Sequence, residues 1–322
     1  MKTMMTWCFV GLIAILSVGC GSGTQSDNED SDKYSRLPSR KTIELGDGVK
    51  LEMVLIPAGS FVMGANGGLD DEKPPHQVTI TKPFYLGKFE ITIEQFGQFV
   101  KATSYATDAE KGIGFQGAFG WNSETMEFKM NDSYSWQNTG FTQKSDHPVV
   151  NVSWNDAMAF CQWLSNKEGK ACRLPTEAEW EYACRAGSTT PYAYGDDPDA
   201  AVKVANVADA AFEVEFPELK GIIQSNDGFV YTSPAGSFMP NSFGLCDMHG
   251  NVWEWCADWY DAQYYANSPR NDPVGPETGE ERVYRGGGWF NCTRGFRSSS
   301  RSGGLPENRH LTLGFRVYEA VE

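Results

Sequence analysis

The run Asp247-Met248-His249-Gly250-Asn251-Val252-Trp253-Glu254 sets two carboxylates on either side of a glycine turn. Such a turn lets backbone carbonyls point at one spot, and hard oxygen donors at short spacing suit Ca²⁺. The competing reading is that Asn251, Trp253 and Trp255 pack while the carboxylates face water. Sulfur is the second candidate chemistry. Beyond Cys8 and Cys20 the chain carries Cys161, Cys172, Cys184, Cys246, Cys256 and Cys292. No Cys-x-x-Cys occurs, which argues against a zinc ribbon or a thioredoxin-like site. His76, His147, His249 and His310 are scattered without a His-x-x-x-His, so a zinc enzyme has little support. Arg285, Arg297 and Arg301 have a default role as partners of core carboxylates, the other reading being an anion-binding pocket.

The elements that must position these residues are short. Residues 49–64 alternate apolar and polar around Pro57-Ala58-Gly59, which predicts strand, turn, strand. Residues 77–90 alternate again, with Phe84-Tyr85-Leu86 as a buried strand. Thr92 caps a predicted helix whose Phe96, Phe99 and Val100 share a face. Residues 111–146 show no period and read as a long ordered excursion anchored by Trp121 and Trp136. Ser153 begins the clearest helix, with Ala157, Phe160, Cys161 and Leu164 inward and Gly169 at its end. Thr176 caps another, with Glu179 at the capping-box position and Gly187 as the stop. Cys161 and Cys184 are expected to be ordinary buried small residues. After Gly187 the chain reads as turns and short strands, with no internal repeat.

Composition limits the partners. The 27 basic and 42 acidic residues leave a net charge of −15, which repels nucleic acid and anionic lipid. Aromatics at 13% and 34 glycines predict tight turns pinned by large rings. Met4 to Val18 is an uncharged apolar run too short to span a bilayer and suited to an export signal over residues 1–19. Small residues before Cys20 resemble a bacterial lipobox, with Ser17 departing from the commoner Leu. Cys20 is therefore expected to carry the lipid that holds the protein on a cell membrane, at the periplasmic or extracellular face. Residues 20–48 read as a flexible polar tether, and residues 49–320 as one domain.

Six stretches then line up in order: residues 56–64 (Ile-Pro-Ala-Gly-Ser-Phe-Val-Met-Gly), 147–154 (His-Pro-Val-Val-Asn-Val-Ser-Trp) and 173–183 (Arg-Leu-Pro-Thr-Glu-Ala-Glu-Trp-Glu-Tyr-Ala), then 250–255 (Gly-Asn-Val-Trp-Glu-Trp), 285–289 (Arg-Gly-Gly-Gly-Trp) and 313–316 (Leu-Gly-Phe-Arg). Together they resemble the formylglycine-generating enzyme family, also called the sulfatase-modifying factor domain, from about Val49 to Tyr318. The resemblance implies an α+β fold of the C-type-lectin-like kind with little regular secondary structure. It also implies two structural calcium sites. One takes side-chain oxygens of Asp247 and Glu254 and the carbonyls of Gly250 and Val252. The other takes side chains of Asn206 and Asp227 and the carbonyls of Val207 and Phe229.

The family's oxidase turns a sulfatase Cys into formylglycine with O₂ and copper(I), held by two Cys after Arg-Gly-Gly. Soft thiolates are what select Cu(I). Here that segment reads Asn291-Cys292-Thr293-Arg294-Gly295-Phe296-Arg297. Asn291 falls where the first family Cys lies, Gly288 replaces a common Ser, and only Cys292 remains as a catalytic candidate. A single thiolate is a poor Cu(I) site unless Cys246 or Cys256 folds beside it. The expected function is thus a lipid-anchored recognition or scaffold module for an envelope protein or glycan, with residues 111–146 as a binding face. The alternative is formylglycine formation, with copper as cofactor and a sulfatase as partner. A sulfoxide-forming relative is a weaker reading, because the chain lacks the His-rich partner domain.

Overall fold

The structure is a computed structural model and describes residue 34 and residues 36–122, 124–217 and 222–321. The expected export signal, the expected lipid site Cys20 and most of the expected tether lie outside the described residues. A five-stranded sheet runs in the order β1-β2-β5-β13-β8. Its members are β1 (Arg40–Gly46), β2 (Val49–Ile56), β5 (Phe84–Gly87), β8 (Cys172–Arg173) and β13 (Tyr318–Ala320). The chain's last strand lies between β5 and β8, so both ends of the domain share one sheet.

Strand β2 shows why this sheet is buried on both sides. Side chains alternate across a strand. Leu51 and Met53 enter one core with Phe96, Phe160 and Phe315, while Val54 and Ile56 enter a second with Trp180 and Val283. A second sheet, β11-β10-β9-β12, is formed by β9 (Trp253–Trp259), β10 (Arg282–Arg285), β11 (Arg301–Gly304) and β12 (Leu313–Gly314). The β3 (Gly59–Met63) and β4 (His76–Ile80) strands form a separate hairpin.

Three helices start where the sequence predicts. In α1 (Ile93–Thr103), α3 (Trp154–Glu168) and α4 (Glu177–Arg185), the caps Thr92, Ser153 and Thr176 form reciprocal boxes with Gln95, Asp156 and Glu179. Each box satisfies otherwise orphaned backbone donors. Short helices α2 (Asp108–Lys111) and α5 (Ala210–Glu215) complete the set among the described residues.

Two expectations need correction. The polar tether does not extend to residue 48, because β1 pairs with β2 and buries Ile43 and Leu45. The excursion at 111–146 is not without regular structure, since β6 (Ala118–Asn122) and β7 (Glu127–Asn131) form a hairpin within it. Trp121 and Trp136 are buried there. Among the described residues no helix is long and apolar enough to cross a membrane.

Candidate functional site

Asp247, Gly250 and Asn251 all have positive φ, at 57°, 75° and 55°. Asp, Asn and Gly are the types that tolerate this left-handed conformation, so the sequence itself dictates the turn. A Cβ at Gly250 would lie 2.1 Å from the Asn206 carbonyl oxygen, so only glycine fits. The Asn251 backbone N–H donates to that same carbonyl at 2.7 Å. The two turns expected to bind calcium, distant in sequence, are therefore neighbours.

The first turn carries an excess of acid. Asp247 Oδ2 accepts the Gly236 N–H at 2.6 Å, while buried Oδ1 has no partner. Glu254 is fully buried, with Arg316 Nε and Nη2 each 2.6 Å from its oxygens and Trp180 Nε1 donating at 2.8 Å. Glu90, which sequence reasoning missed, is also fully buried. Its Oε1 accepts from Asn251 Nδ2 at 3.1 Å and its Oε2 has no partner. Nothing in its spacing marks it, because it reaches the turn only through the fold. Burial first, and then the Asp247 charge, push its carboxyl well above the usual range. Burial also raises Asp247 to about 6.

Three carboxyls thus surround one guanidinium. If ionised they leave two uncompensated buried charges, a costly arrangement. A divalent cation beside Asp247 fits this charge and these orphan oxygens, with the carbonyls of Gly250 and Val252 as further hard donors. Arg316 and Trp180 engage Glu254, whereas Glu90 has a free oxygen. Among the described residues no three His, Cys, Asp or Glu side chains converge as a metal cage, so such a site depends on carbonyls.

The second turn is built on Asp227. Its Oδ2 accepts the Val207 N–H and its Oδ1 the Phe229 N–H, both at 2.9 Å. Each carboxylate oxygen keeps a further lone pair. Asn206 donates to the Tyr231 carbonyl at 2.8 Å and to Asn251 Oδ1 at 3.1 Å, and its buried Oδ1 has no partner. Burial, aided by Asp209, holds the Asp227 carboxyl up at about 7. This donor set is again all oxygen and fits a hard cation.

The sulfur chemistry looks different. All six described Cys are free thiols. Cys161 and Cys172 lie in the first core, as expected of small buried residues, and Cys184 and Cys256 in the second. Cys184 Sγ lies 3.5 Å from the Met248 carbonyl and 3.7 Å from His249 Nε2. That His is neutral and occupied. Its Nδ1 lies 2.7 Å from the Phe296 carbonyl, Nε2 accepts the Ala193 N–H, and burial drops its pKa to about 4. Burial raises the thiols of Cys184 to about 12 and Cys246 to about 11, and pushes Cys256 well above the usual thiol range, so none is prepared as a thiolate. Cys292 is half-buried, and its carbonyl closes a turn by accepting the Gly295 N–H. Asn291 closes the turn before it, its Oδ1 and N–H both bonding Gly288 at 2.8 Å. Asn291, which the resemblance sets at the first thiol position, therefore holds a tight turn. The segment does not fit a two-thiolate copper site.

The three arginines pair with carboxylates. Fully buried Arg285 meets Glu181 and donates to the carbonyls of Ser299 and Ser300. Arg301 grips Glu177 at 2.7 and 2.8 Å, and Arg297 grips buried Glu72 at 2.6 and 2.7 Å. Arg185 adds a bond to Glu181 at 2.8 Å.

Fold and site together define an irregular α+β domain, locked by buried guanidinium–carboxylate pairs, with oxygen-lined turns at one side. The sulfatase-modifying factor enzyme 1-like domain family matches residues 46–321, and the chain belongs to that family. It is 38% identical over 291 residues to a formylglycine-generating enzyme of Streptomyces coelicolor, covering 82% of this chain and 87% of that one. It is 34% identical over 313 residues to the inactive C-alpha-formylglycine-generating enzyme 2 of Bos taurus, covering 87% and 92%. Among solved structures it is similar to PvdO from Pseudomonas aeruginosa, at TM-score 0.70 and 31% identity over 89% of this chain and all of that one. CarF shares the fold at TM-score 0.54 and 21% identity.

Proposed function

We propose that this chain is an exported, lipid-anchored family member that serves as a recognition module in the cell envelope and does not form formylglycine. The observation that carries the reading is Asn291, which stands at the first thiol position and uses both its side chain and its backbone to bond Gly288. One remaining sulfur, Cys292, does not make the soft two-coordinate site that Cu(I) requires. Calcium at the Asp247 and Asp227 turns has a structural role in this reading, and Cys20 carries the lipid. The relative in Bos taurus, named as inactive, is a precedent within the family.

The second reading is formylglycine formation on a sulfatase, with copper at Cys292. It is favoured by the likeness to the Streptomyces enzyme. A Cys-x-Pro-x-Arg peptide, incubated with the protein, copper and a thiol reductant, separates the two. The recognition reading expects an unchanged peptide mass. Conversion of the peptide CH₂SH to an aldehyde, read by mass spectrometry, overturns it.

A further inference from the structure

A cavity of about 650 Å³ opens between the β3–β4 hairpin, the turn after α4 and Arg297. Its volume lies within the range of roughly 300–1,000 Å³ typical of small-molecule sites. It belongs to neither acid turn. We propose that it binds a sugar bearing a single carboxylate. The proposal rests on the recognition reading and names what would be recognised.

The lining is chemically specific. Among the described residues no Asp or Glu lines the cavity, although the chain is strongly acidic. Arg185 and Arg297 both reach it. A guanidinium has five N–H groups. Arg185 directs its N–H groups at Glu181, the Gly64 carbonyl and the Thr190 carbonyl. Arg297 directs its own at Glu72, Ser299 Oγ and the Arg294 carbonyl. Each is left with one N–H uncommitted among the described residues. Two single donors from two guanidiniums match the two oxygens of one carboxylate better than the three of a phosphate.

Charge agrees with that assignment. At and beneath the cavity Arg185, Arg285, Arg297 and Arg301 form ion pairs with Glu72, Glu177 and Glu181 alone among the described residues, which leaves one positive charge in excess. The walls suit a hydroxyl-rich ring. Phe61 and Tyr182 lie with centroids 5.4 Å apart at 47°, offering apolar faces beside Pro75 and Pro191. The side chains of Asn66, Gln77 and Thr189 stand at the exposed rim without a hydrogen bond among the described residues, so they are available to sugar hydroxyls. The loop is fixed for this purpose. Gly64 has φ +83°, and a Cβ there would meet the Glu72 carbonyl at 2.4 Å.

The test is calorimetric titration of the whole protein with galacturonosyl-galactose, an acidic disaccharide with one carboxylate, with galactobiose, acetate and sulfate as separate arms. Saturable binding of the acidic disaccharide alone is expected. Thr189→Trp fills the mouth without touching the ion pairs and should abolish binding with melting unchanged. Gln77→Glu, an exposed change, should weaken it about tenfold through like-charge repulsion. Equal affinity for the neutral disaccharide, no saturable binding of the acidic one, or normal binding by both variants overturns the proposal. The peptide assay runs on the same sample. Peptide conversion with intact sugar binding removes the non-oxidase reading alone, and absence of both removes the sugar site alone.

Discussion

Two buried charged regions of this domain solve the same electrostatic problem in opposite ways. Around α4 and β10 three buried glutamates each have a guanidinium, as Glu72 has Arg297, Glu177 has Arg301 and Glu181 has Arg285. Around the Gly250 turn, Glu90, Asp247 and Glu254 share only Arg316, and oxygens of Glu90, Asp247 and Asn206 have no partner. The first region is complete within the chain. The second is short of positive charge among the described residues, and either protons on Glu90 and Asp247 or a bound cation would balance it. Irregular loops can be held rigid by either means, but only the second is sensitive to what the solvent supplies.

The largest expected effect comes from breaking the self-sufficient region. Arg285→Ala removes the fully buried partner of Glu181, leaves that acid to Arg185 alone and strips the Ser299 and Ser300 carbonyls of their donor, and should cost about 3–5 kcal/mol in denaturant unfolding. A loss below 1 kcal/mol would mean that water enters and the region is not closed. Next is the acid turn. A calcium chelator should lower stability by about 2.7 kcal/mol if the ion was held at a hundred times its Kd. The double variant Glu90→Gln, Asp247→Asn should lose the share of that shift owed to the Asp247 turn and keep only the share owed to the Asp227 turn. Unchanged melting of the wild type in chelator, with no metal by elemental analysis, removes the cation from the account.

A third effect, about 1.4 kcal/mol for each pH unit, probes pH. Asp258 is fully buried, and burial followed by the Glu177 charge raises it from 3.8 to about 8, with Glu179, Arg173 and Arg282 also facing it. The folded state then keeps a proton that the unfolded state releases. Its contribution is full below the unfolded pKa and is lost as pH rises through the folded value, by about 1.4 kcal/mol per pH unit. Asp258→Asn should remove that slope between pH 4 and 8, seen as a difference between the two stability curves. Parallel curves would show that Asp258 is ionised in the fold. The smallest effect is at Thr176, which caps the helix carrying Glu177 and Glu181. Thr176→Ala should cost about 1 kcal/mol. A much larger loss would mean that the cap also aligns the acids with their arginines.

The legible part of the fold was local. Thr92, Ser153 and Thr176 announce their helices because each is followed three residues later by Gln, Asp or Glu. Strand β1 was hidden, since only Ile43 and Leu45 mark it within a polar stretch. The β6–β7 hairpin was missed although Glu127-Phe128-Lys129-Met130-Asn131 alternates polar and apolar, because the run is short, lies among Gly, Asn and Ser, and leaves Phe128 and Met130 exposed. The acid turn could be read at Asp247, Gly250 and Glu254, yet Glu90 and the partnership of Glu254 with Arg316 arise from contacts across the chain. The cavity was not legible at all, because segments near residues 64, 188 and 297 build it together.

The reading of the protein as a family member without the copper oxidase rests on one missing sulfur. Competition for Cu(I) against a chromophoric chelator, under reducing anaerobic conditions, measures that directly. The account predicts no retention of copper beyond the level of a Cys292→Ser variant. Stoichiometric Cu(I) held tightly by the wild type and lost in Cys292→Ser would contradict it.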